Sequence, residues 1–423
     1  MNGNTFEYVL SGPSYTRITY PESREDPELN SWIHDALKHT NRRENHKFSY
    51  LYNSWTESDF GHALQDFKKS THALYADSGG LQIVTRGLEA SASIKADVFK
   101  NQGQYADFGM SFDEIPVSIE GDKSTRLDTS NRWFDREKFE FCARETGRNI
   151  DRQIEAFLEM KSSTKPIAII QGNCYDTYMK WTEYMIDEIA PSRREYIGGI
   201  AMGAASFGHG FLEDIERAYY FTQLPFKTKD SHVHFLAVGS IERILPALIY
   251  CQTGVYSDTR VSYDSTSHAS GLLYGRIFAP SHLGNYINFE RDLDRTVYGV
   301  LYDKIHERFG LDFTIEDLHF YLNNPSKKVI EKYGHRKDQI KVFVGGSLLS
   351  VDSFIDEMEN LMVSSRDEIV GRMGGRTKKN SIYSTLYDIK SLDDFRHWQK
   401  HCSRFVPSER IASSKIESNT LDF

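Results

Sequence analysis

Asp77, Asp113 and Asp264 each stand at or just after the end of a short, apolar, strand-like run. A carboxylate in such a position can act as a nucleophile, exchange a proton, or accept hydrogen bonds from an amidine-like edge. Ser78 and two glycines follow Asp77, and glycines leave room for a ligand to approach the backbone. Taken alone, the Asp77 stretch is explained more simply as a turn capped by its own side chains.

An amide and a glycine-rich run extend this pattern. Gln171 ends the apolar run PIAIIQ, and its side chain could donate to and accept from the edge of a nucleobase, although a structural amide fits equally well. Three glycines fall within six positions in GGIAMG, which begins with Gly198 and Gly199. Strands normally avoid glycine, so this run implies close approach to a ligand or tight packing.

Eight strand-like runs alternate with helix-like segments along the first part of the chain. This alternation is typical of parallel βα units, and eight units predict a (β/α)8 barrel of the α/β class. The carboxyl ends of barrel strands converge on one face, so the three aspartates, Gln171 and Gly199 are expected to meet there. The strands are predicted at 6–10, 48–52, 71–75, 106–113, 166–171, 196–201, 234–239 and 260–264, with intervening helices that include 135–161, 175–189 and 241–251.

The length of 423 residues suits one barrel and a smaller appended region. We predict the barrel over residues 1–285 and a mainly helical region over 286–423. Residues 87–103 are polar with little periodicity, which predicts a mobile loop over the strand ends. In the second region, helices are predicted at 291–309, 315–322 and 353–363, and a strand at 340–345.

Composition limits the functional classes. The 51 basic and 60 acidic residues give a formal charge of -9, so no global positive field indicates nucleic-acid binding and local patches would have to supply it. The four cysteines are far apart, which favours a reducing compartment over a disulfide framework. No apolar run approaches the length of a membrane span. These features predict a cytoplasmic protein.

Six short motifs occur in an order and spacing that resemble the tRNA-guanine transglycosylase superfamily. The resemblance covers roughly residues 47–275, about half of the chain. Each motif alone is weak, and their order gives the signal its strength. The motifs are Asp-Ser-Gly-Gly-x-Gln at 77–82, Phe-Asp-Glu at 112–114, Gln-Gly at 171–172, Gly-Gly-Ile-Ala at 198–201, Val-Gly at 238–239 and Tyr-Asp-Ser-x-Ser at 263–267.

The resemblance implies a (β/α)8 enzyme that exchanges a guanine in a polynucleotide for a 7-deazaguanine. By motif match, Asp264 would be the nucleophile at C1′ and Asp77 the general acid/base for the leaving and incoming bases. Asp113 would bind the amidine edge of the purine, while Gln171 and the Gly199 amide would address its O6. A carboxylate can trap the oxocarbenium-like state of such a displacement, and a base in a duplex must first be flipped out.

The binding slot departs from the superfamily pattern in two places. Leu81 replaces the usual aromatic residue after Ser78 and the two glycines, and Leu236 would form the opposite wall, so the slot is apolar with less stacking. Ala204 stands where bacterial members that insert an aminomethyl base carry a glutamate. The missing charge favours the neutral 7-cyano-7-deazaguanine as the incoming base.

The polynucleotide is predicted to be DNA. The stretch after Asp264 lacks the RNA-facing arginines of bacterial members, with His268 and Ser270 among the replacements, and the zinc motif Cys-x-Cys-x-x-Cys of tRNA-modifying members is absent. These departures resemble the DNA-directed branch found in bacteria and their viruses. The implied partners are double-stranded DNA, a free 7-deazaguanine base and a protein that opens the duplex, in a bacterial or phage-infected cell.

Two clusters near the carboxyl terminus contain residue types that could form additional sites. The basic loop with Arg372, Arg376, Lys378 and Lys379 has the composition of a phosphate-contacting surface, although solvated charges explain it comparably well. A metal at His397, His401 and Cys402 is the weaker interpretation, since surface histidines suffice. We therefore expect no cofactor.

Three alternatives remain open at the level of sequence. The first is a tRNA-guanine transglycosylase of unusual form. The second is a barrel N-glycosidase or nucleosidase that uses Asp77 and Asp264 on a small substrate. The third is a DNA-binding protein without catalytic activity, which would leave three acids at strand ends unexplained.

Overall fold

A computed structural model describes most of the chain, and the structural statements below refer to this part. The described residues are 5–11, 26–39, 49–56, 68–69, 71–116, 136–172, 174–203, 211–223, 231–256, 259–267, 271–274, 276–278, 286–288, 295–324, 336–372 and 383–405.

Eight parallel strands form a closed barrel, as the sequence predicts. Each strand pairs with the next in the chain, and the last pairs with the first, with Val9 opposite Asp264. The strands that are buried on both faces have nearly continuous apolar sequences, as in PIAII of the fifth. The strands are β1 (Thr5–Ser11), β2 (Ser49–Asn53), β3 (Leu74–Asp77), β4 (Phe108–Met110), β5 (Lys165–Ile170), β6 (Gly199–Met202), β7 (His232–Phe235) and β8 (Arg260–Ser265).

Helices connect the strands and form the outer layer of the (β/α)8 fold. The predicted long helix at 135–161 is confirmed over Arg136–Glu159. The helices associated with the barrel are α1 (Pro27–His39), α2 (Gly80–Thr85), α3 (Ala92–Tyr105), α4 (Arg136–Glu159), α5 (Tyr175–Asp187), α6 (Phe211–Tyr220) and α7 (Ile241–Gln252).

The predicted loop at 87–103 is wrong, because most of it belongs to α3. The Ser91 side chain caps this helix by accepting from the Ile94 amide at 3.3 Å. Val98 and Phe99 are buried, and the buried Gln102 donates to the Ala76 and Met110 carbonyls at 3.2 and 2.8 Å. The polar sequence of residues 87–103 therefore forms a helix that packs through a side-chain amide as well as through apolar side chains.

The region after the barrel is mainly helical, with one short antiparallel pair of strands. The predicted helices at 291–309 and 315–322 are confirmed as α8 and α9. The predicted domain boundary at residue 285 stays a prediction; β9 and β10 pair across it. The elements are β9 (Arg276–Phe278), β10 (Tyr286–Asn288), α8 (Arg295–Phe309), α9 (Ile315–Asn323), α10 (Arg336–Val363), α11 (Arg366–Arg372) and α12 (Leu392–Phe405).

The predicted strand at 340–345 is wrong, because these residues belong to α10. Ile340 and Val344 pack into the core that surrounds the barrel, whereas Val342 and Phe343 pack into a second core with α8 and α9. A helix between two cores is apolar on opposite sides, which removes the helical periodicity from its sequence. The β-branched run was therefore mistaken for a buried strand.

The barrel interior combines an apolar cluster with buried polar side chains. Val9, Leu51, Met110 and Ile169 belong to its apolar cluster. On β7 and β8, side chains such as His232 extend the interior with polar groups. Among the described residues, no helix is long and apolar enough to cross a membrane.

Candidate active site

Asp264 lies at the carboxyl end of β8, where two hydrogen-bond donors and a histidine ring nitrogen contact its carboxyl group. Ser11 Oγ donates to Oδ2 at 2.9 Å, and the Ala237 amide donates to Oδ1 at 3.0 Å. His234 Nε2 lies 3.1 Å from the same Oδ1. The carboxyl group is only 5% exposed. These contacts fix the orientation of the buried carboxyl group.

Asp77 lies at the carboxyl end of β3, where its side chain keeps partial access to solvent. Gly79, with φ of +78°, turns the chain so that its amide donates to Asp77 Oδ2 at 3.3 Å. Burial, and then the negative charge of Asp264, raise the pKa of Asp77 to about 6, against the lowering effect of the Gly79 and Ser78 amides. A carboxyl group with this pKa can both give and take a proton near neutral pH.

Asp113 and Gln171 form a buried pair that follows β4 and β5. Gln171 Nε2 donates to Asp113 Oδ2. Burial raises the pKa of Asp113 to about 7, the Gln171 hydrogen bond lowers it, and the charge of Asp77 adds to the rise. A side chain at Gly203 would overlap the Gln171 amide, since its Cβ would lie 2.0 Å from Nε2. The pair therefore presents a carboxylate and an amide side by side.

The structure brings the three predicted carboxylates into one electrostatically coupled group. The charge of Asp264 raises the pKa of Asp77, and the charge of Asp77 raises the pKa of Asp113. A Cβ at Gly80 would lie 3.3 Å from Asp113 Oδ1 and 3.5 Å from Ser78 Oγ, so the turn after β3 touches Asp113. The expected convergence on the carboxyl face holds for these residues and for Gln171.

Gly198 and Gly199 are not part of this group. Gly199 pairs with Ile167 and His232 at the amino end of β6, four residues or roughly 13 Å of strand before Gly203, which lies at the level of Gln171. A Cβ at Gly199 would lie 2.1 Å from the His232 carbonyl oxygen, so tight packing between β6 and β7 accounts for this glycine. The expected approach of the Gly199 amide to the same ligand atom as Gln171 is not observed.

The two predicted apolar walls are half-buried. Leu81 lies in α2, directly after the Asp77 turn, and Leu236 packs against the interior apolar cluster just after β7. Three residues support the predictions about the incoming base and the polynucleotide. They lie outside the described residues: Ala204, His268 and Ser270.

Sequence reasoning missed the polar residues that support Asp264 from inside the barrel. His232, His234 and Ser262 are fully buried. The signal was available, because the alternation in HVHF and RVSYDS points His232 and His234 to the same side, and Ser262 to the same side as Asp264. Ser11 follows the same rule at the end of β1.

Of the basic loop near the carboxyl terminus, the structure describes Arg372. Arg372 Nη1 donates to Glu357 Oε1 at 2.9 Å, while Arg376, Lys378 and Lys379 lie outside the described residues.

His397 and His401 are exposed on α12, the helix that also contains Cys402. In the described part of the chain, no group of three or more His, Cys, Asp or Glu residues is arranged to hold a metal ion.

A scan against protein-family models finds no match to this chain. A search of curated proteins finds none either.

Proposed function

We propose that the protein is a DNA-guanine transglycosylase, which exchanges a guanine base in DNA for a 7-deazaguanine through a covalent aspartyl-glycosyl intermediate. The observation that carries the proposal is the coupled group of carboxylates. Ser11 and the Ala237 amide fix the Asp264 carboxyl group by hydrogen bonds, and burial together with the charge of Asp264 raises the pKa of Asp77 to about 6. Asp113 and Gln171 supply an acceptor and an amide suited to the edge of a purine.

Each residue has a defined part in the proposed reaction. The Asp264 carboxylate attacks C1′ of a flipped deoxyguanosine, and the bond from C1′ to N9 breaks while Asp77 gives its proton to the leaving base. The incoming 7-deazaguanine then loses its N9 proton to Asp77. Its N9 attacks C1′, the ester bond to Asp264 breaks, and the carboxylate is restored.

The base would be recognised by a combination of charge and shape. Ionised Asp113 accepts from two N–H groups of the amidine edge, and Gln171 can address O6. A purine without the amidine edge could not donate to the buried Asp113 carboxylate, and the loss of these two charge-assisted hydrogen bonds is the basis of strong discrimination. Leu81 and Leu236 would line the faces of the slot.

The choice of DNA and of the cyano base rests on departures from the superfamily pattern. The chain lacks the zinc motif and the RNA-facing arginines, and it has Ala204 where a glutamate would pair with an aminomethyl group. We expect calorimetry to give tighter binding of 7-cyano-7-deazaguanine than of the 7-aminomethyl base. Equal or reversed affinities would contradict the assignment of the cyano base.

Trapping tests the central proposal. The enzyme is incubated with double-stranded DNA containing guanine, and in parallel with tRNA, then denatured and examined for a covalent adduct. We expect an adduct with DNA that disappears in Asp264→Asn. Asp107→Asn is the matched control, because Asp107 lies at the amino end of the barrel, where it accepts from the Leu74 amide at 2.9 Å.

Exchange of labelled 7-deazaguanine separates the alternatives. Incorporation into tRNA but not DNA would favour the tRNA enzyme, and release of free base without incorporation would favour a glycosidase. Binding of DNA without an adduct, release or exchange would favour a non-catalytic protein. Any of these outcomes would overturn the proposal.

A further inference from the structure

A continuous chain of polar side chains runs through the barrel interior to Asp264. At its start, Arg260 Nε and the Tyr75 hydroxyl donate to Glu7 Oε2 at 3.0 and 3.1 Å. His232 Nε2 lies 3.4 Å from that hydroxyl and 2.6 Å from Ser262 Oγ.

From Ser262 the chain continues to the nucleophile. His234 Nδ1 lies 2.7 Å from Ser262 Oγ, and His234 Nε2 lies 3.1 Å from Asp264 Oδ1. Contacts between polar side chains thus join Asp264, at the carboxyl end of the barrel, to the ion pair of Arg260 and Glu7 at the other end.

His232 fixes the direction of the hydrogen bonds in this chain. Burial first, and then the neighbouring His234, Arg260 and Lys165, hold its pKa well below the usual value, so its ring is neutral and carries one proton. Its Nδ1 is buried and has no hydrogen-bond partner among the described residues. Orphaned buried N–H groups are rarer than orphaned acceptors, so the proton belongs on Nε2, which donates to Ser262 Oγ.

Ser262 Oγ accepts from His232, and its own hydrogen has two possible acceptors, the Tyr75 hydroxyl and His234 Nδ1 at 2.7 Å. The short contact favours His234 Nδ1. With Nδ1 accepting, the proton of the His234 ring lies on Nε2, facing Asp264. The Tyr75 pKa is raised well above its usual value by burial, which keeps its hydroxyl a donor to Glu7.

We infer that His232 and Ser262 lock His234 in the tautomer whose Nε2–H points at Asp264, making all three positioning residues for the nucleophile. The inference rests on the proposed function for its catalytic consequence. His234 and the Ala237 amide together orient Oδ1, while Ser11 orients Oδ2. In the opposite tautomer a lone pair would face the carboxylate at 3.1 Å, and the nucleophile would be repelled from its position.

Titratable and charged groups from several strands surround the rings of His232 and His234. The titratable and charged groups that face them are Tyr75 from β3, Glu7 from β1, Arg260 and Asp264 from β8, Lys165 from β5 and Asp77 at the end of β3. The ring of Phe108 on β4 packs edge-on against His232.

The tautomer can be measured without any activity. Long-range proton-nitrogen correlation spectra of protein labelled with ¹⁵N-histidine distinguish Nε2–H from Nδ1–H, and His232→Gln and His234→Gln assign the two rings. We expect both rings to be Nε2–H tautomers. In Ser262→Ala, His234 should become a mixture of tautomers, and Ser262→Thr should restore the wild-type signal. An Nδ1–H or doubly protonated His234 in the wild type, or no change in Ser262→Ala, overturns the lock.

A matched pair of substitutions tests the consequence for the nucleophile. In His234→Gln the amide nitrogen can take the place of Nε2, whereas the shorter His234→Asn can reach only Ser262. We expect the rate of covalent trapping to fall about 100-fold or more in His234→Asn and less than 10-fold in His234→Gln. The affinity for free base should stay within about twofold of wild type in both variants, as expected for a residue that positions the nucleophile.

Equal trapping rates in the two variants would overturn the positioning role. If wild-type protein forms no adduct, the proposed function fails, and the spectra still decide the tautomer lock independently.

Discussion

The burial of Asp113 has a cost in stability. Its side chain is 6% exposed and its pKa is raised to about 7, mainly by burial. An unfolded chain would release this proton near pH 3.9. Between these values the folded state holds the proton more tightly, so wild-type stability falls as pH rises from about 4 to 7.

Replacement by asparagine should remove this penalty. At pH 8 we expect Asp113→Asn to unfold with a free energy higher than that of wild type by on the order of 2 kcal/mol, and the difference should vanish near pH 4. Urea denaturation at a series of pH values measures it. A difference that is constant across pH would contradict the raised pKa.

The affinity for free base should depend on the same ionisation of Asp113. It should rise with pH, whereas the stability contributed by Asp113 falls. Because Asp113 accepts from two N–H groups only when ionised, the affinity for guanine should rise about tenfold per pH unit up to about pH 7 and then level off. Calorimetric titrations between pH 5.5 and 8.5 measure this dependence. Asp113→Asn should bind weakly with a flat profile; a wild-type profile that is equally flat would remove Asp113 from base recognition.

At the scale of elements, the fit between β6 and β7 explains a glycine that the sequence assigned to the ligand. Only a hydrogen fits at Gly199, because the nearest obstacle is the backbone carbonyl of His232 and not the end of a flexible side chain. Backbone atoms in a closed barrel cannot move away without breaking neighbouring pairs.

Gly199→Ala should therefore lower the free energy of unfolding by about 2 kcal/mol or more. Gly299→Ala is the matched control: Gly299 lies in α8 with nothing within 4 Å of its would-be Cβ, and we expect a gain of about 0.5 to 1 kcal/mol there. Denaturant unfolding of the two variants makes the comparison. A neutral Gly199→Ala would mean that this site has room for a methyl group, and the glycine would need another explanation.

At the scale of the whole molecule, the barrel and the region after it share a hydrophobic core. Phe354 of α10 is fully buried, with its ring edge-on against Tyr8 of β1 at 5.1 Å between centroids. Gln252 at the end of α7 donates to the carbonyls of Leu361 and Met362 at 2.8 and 3.0 Å. This packing ties α10 to the strand that carries Ser11 to Asp264.

Phe354→Ala should consequently destabilise the barrel itself. We expect a loss of about 3 to 5 kcal/mol in a single unfolding transition, together with slower trapping of DNA if β1 shifts. Val363→Ala on the same helix is the control, since Val363 is 83% exposed and a change within about 0.5 kcal/mol is expected. Two separate transitions in Phe354→Ala would indicate that the two regions fold independently.

The sequence by itself determined the alternation of strands and helices, and with it the barrel and the meeting of Asp77, Asp113, Gln171 and Asp264 at one face. These properties follow from local periodicity and from the direction of parallel strands. The predictions from sequence were wrong at α3 and α10, because packing partners decide the secondary structure there. Gln102 of α3 donates to backbone carbonyls, and α10 lies between two cores.

Only the tertiary structure decided which residues support the site. The position of Gly199 depends on the register between β6 and β7, and the chain from Glu7 to Asp264 joins residues more than 250 positions apart. Side chains brought together by barrel closure leave no periodic signal along the chain. Their types and alternation are visible in the sequence, but their partners are fixed by the strand pairing across the closed sheet.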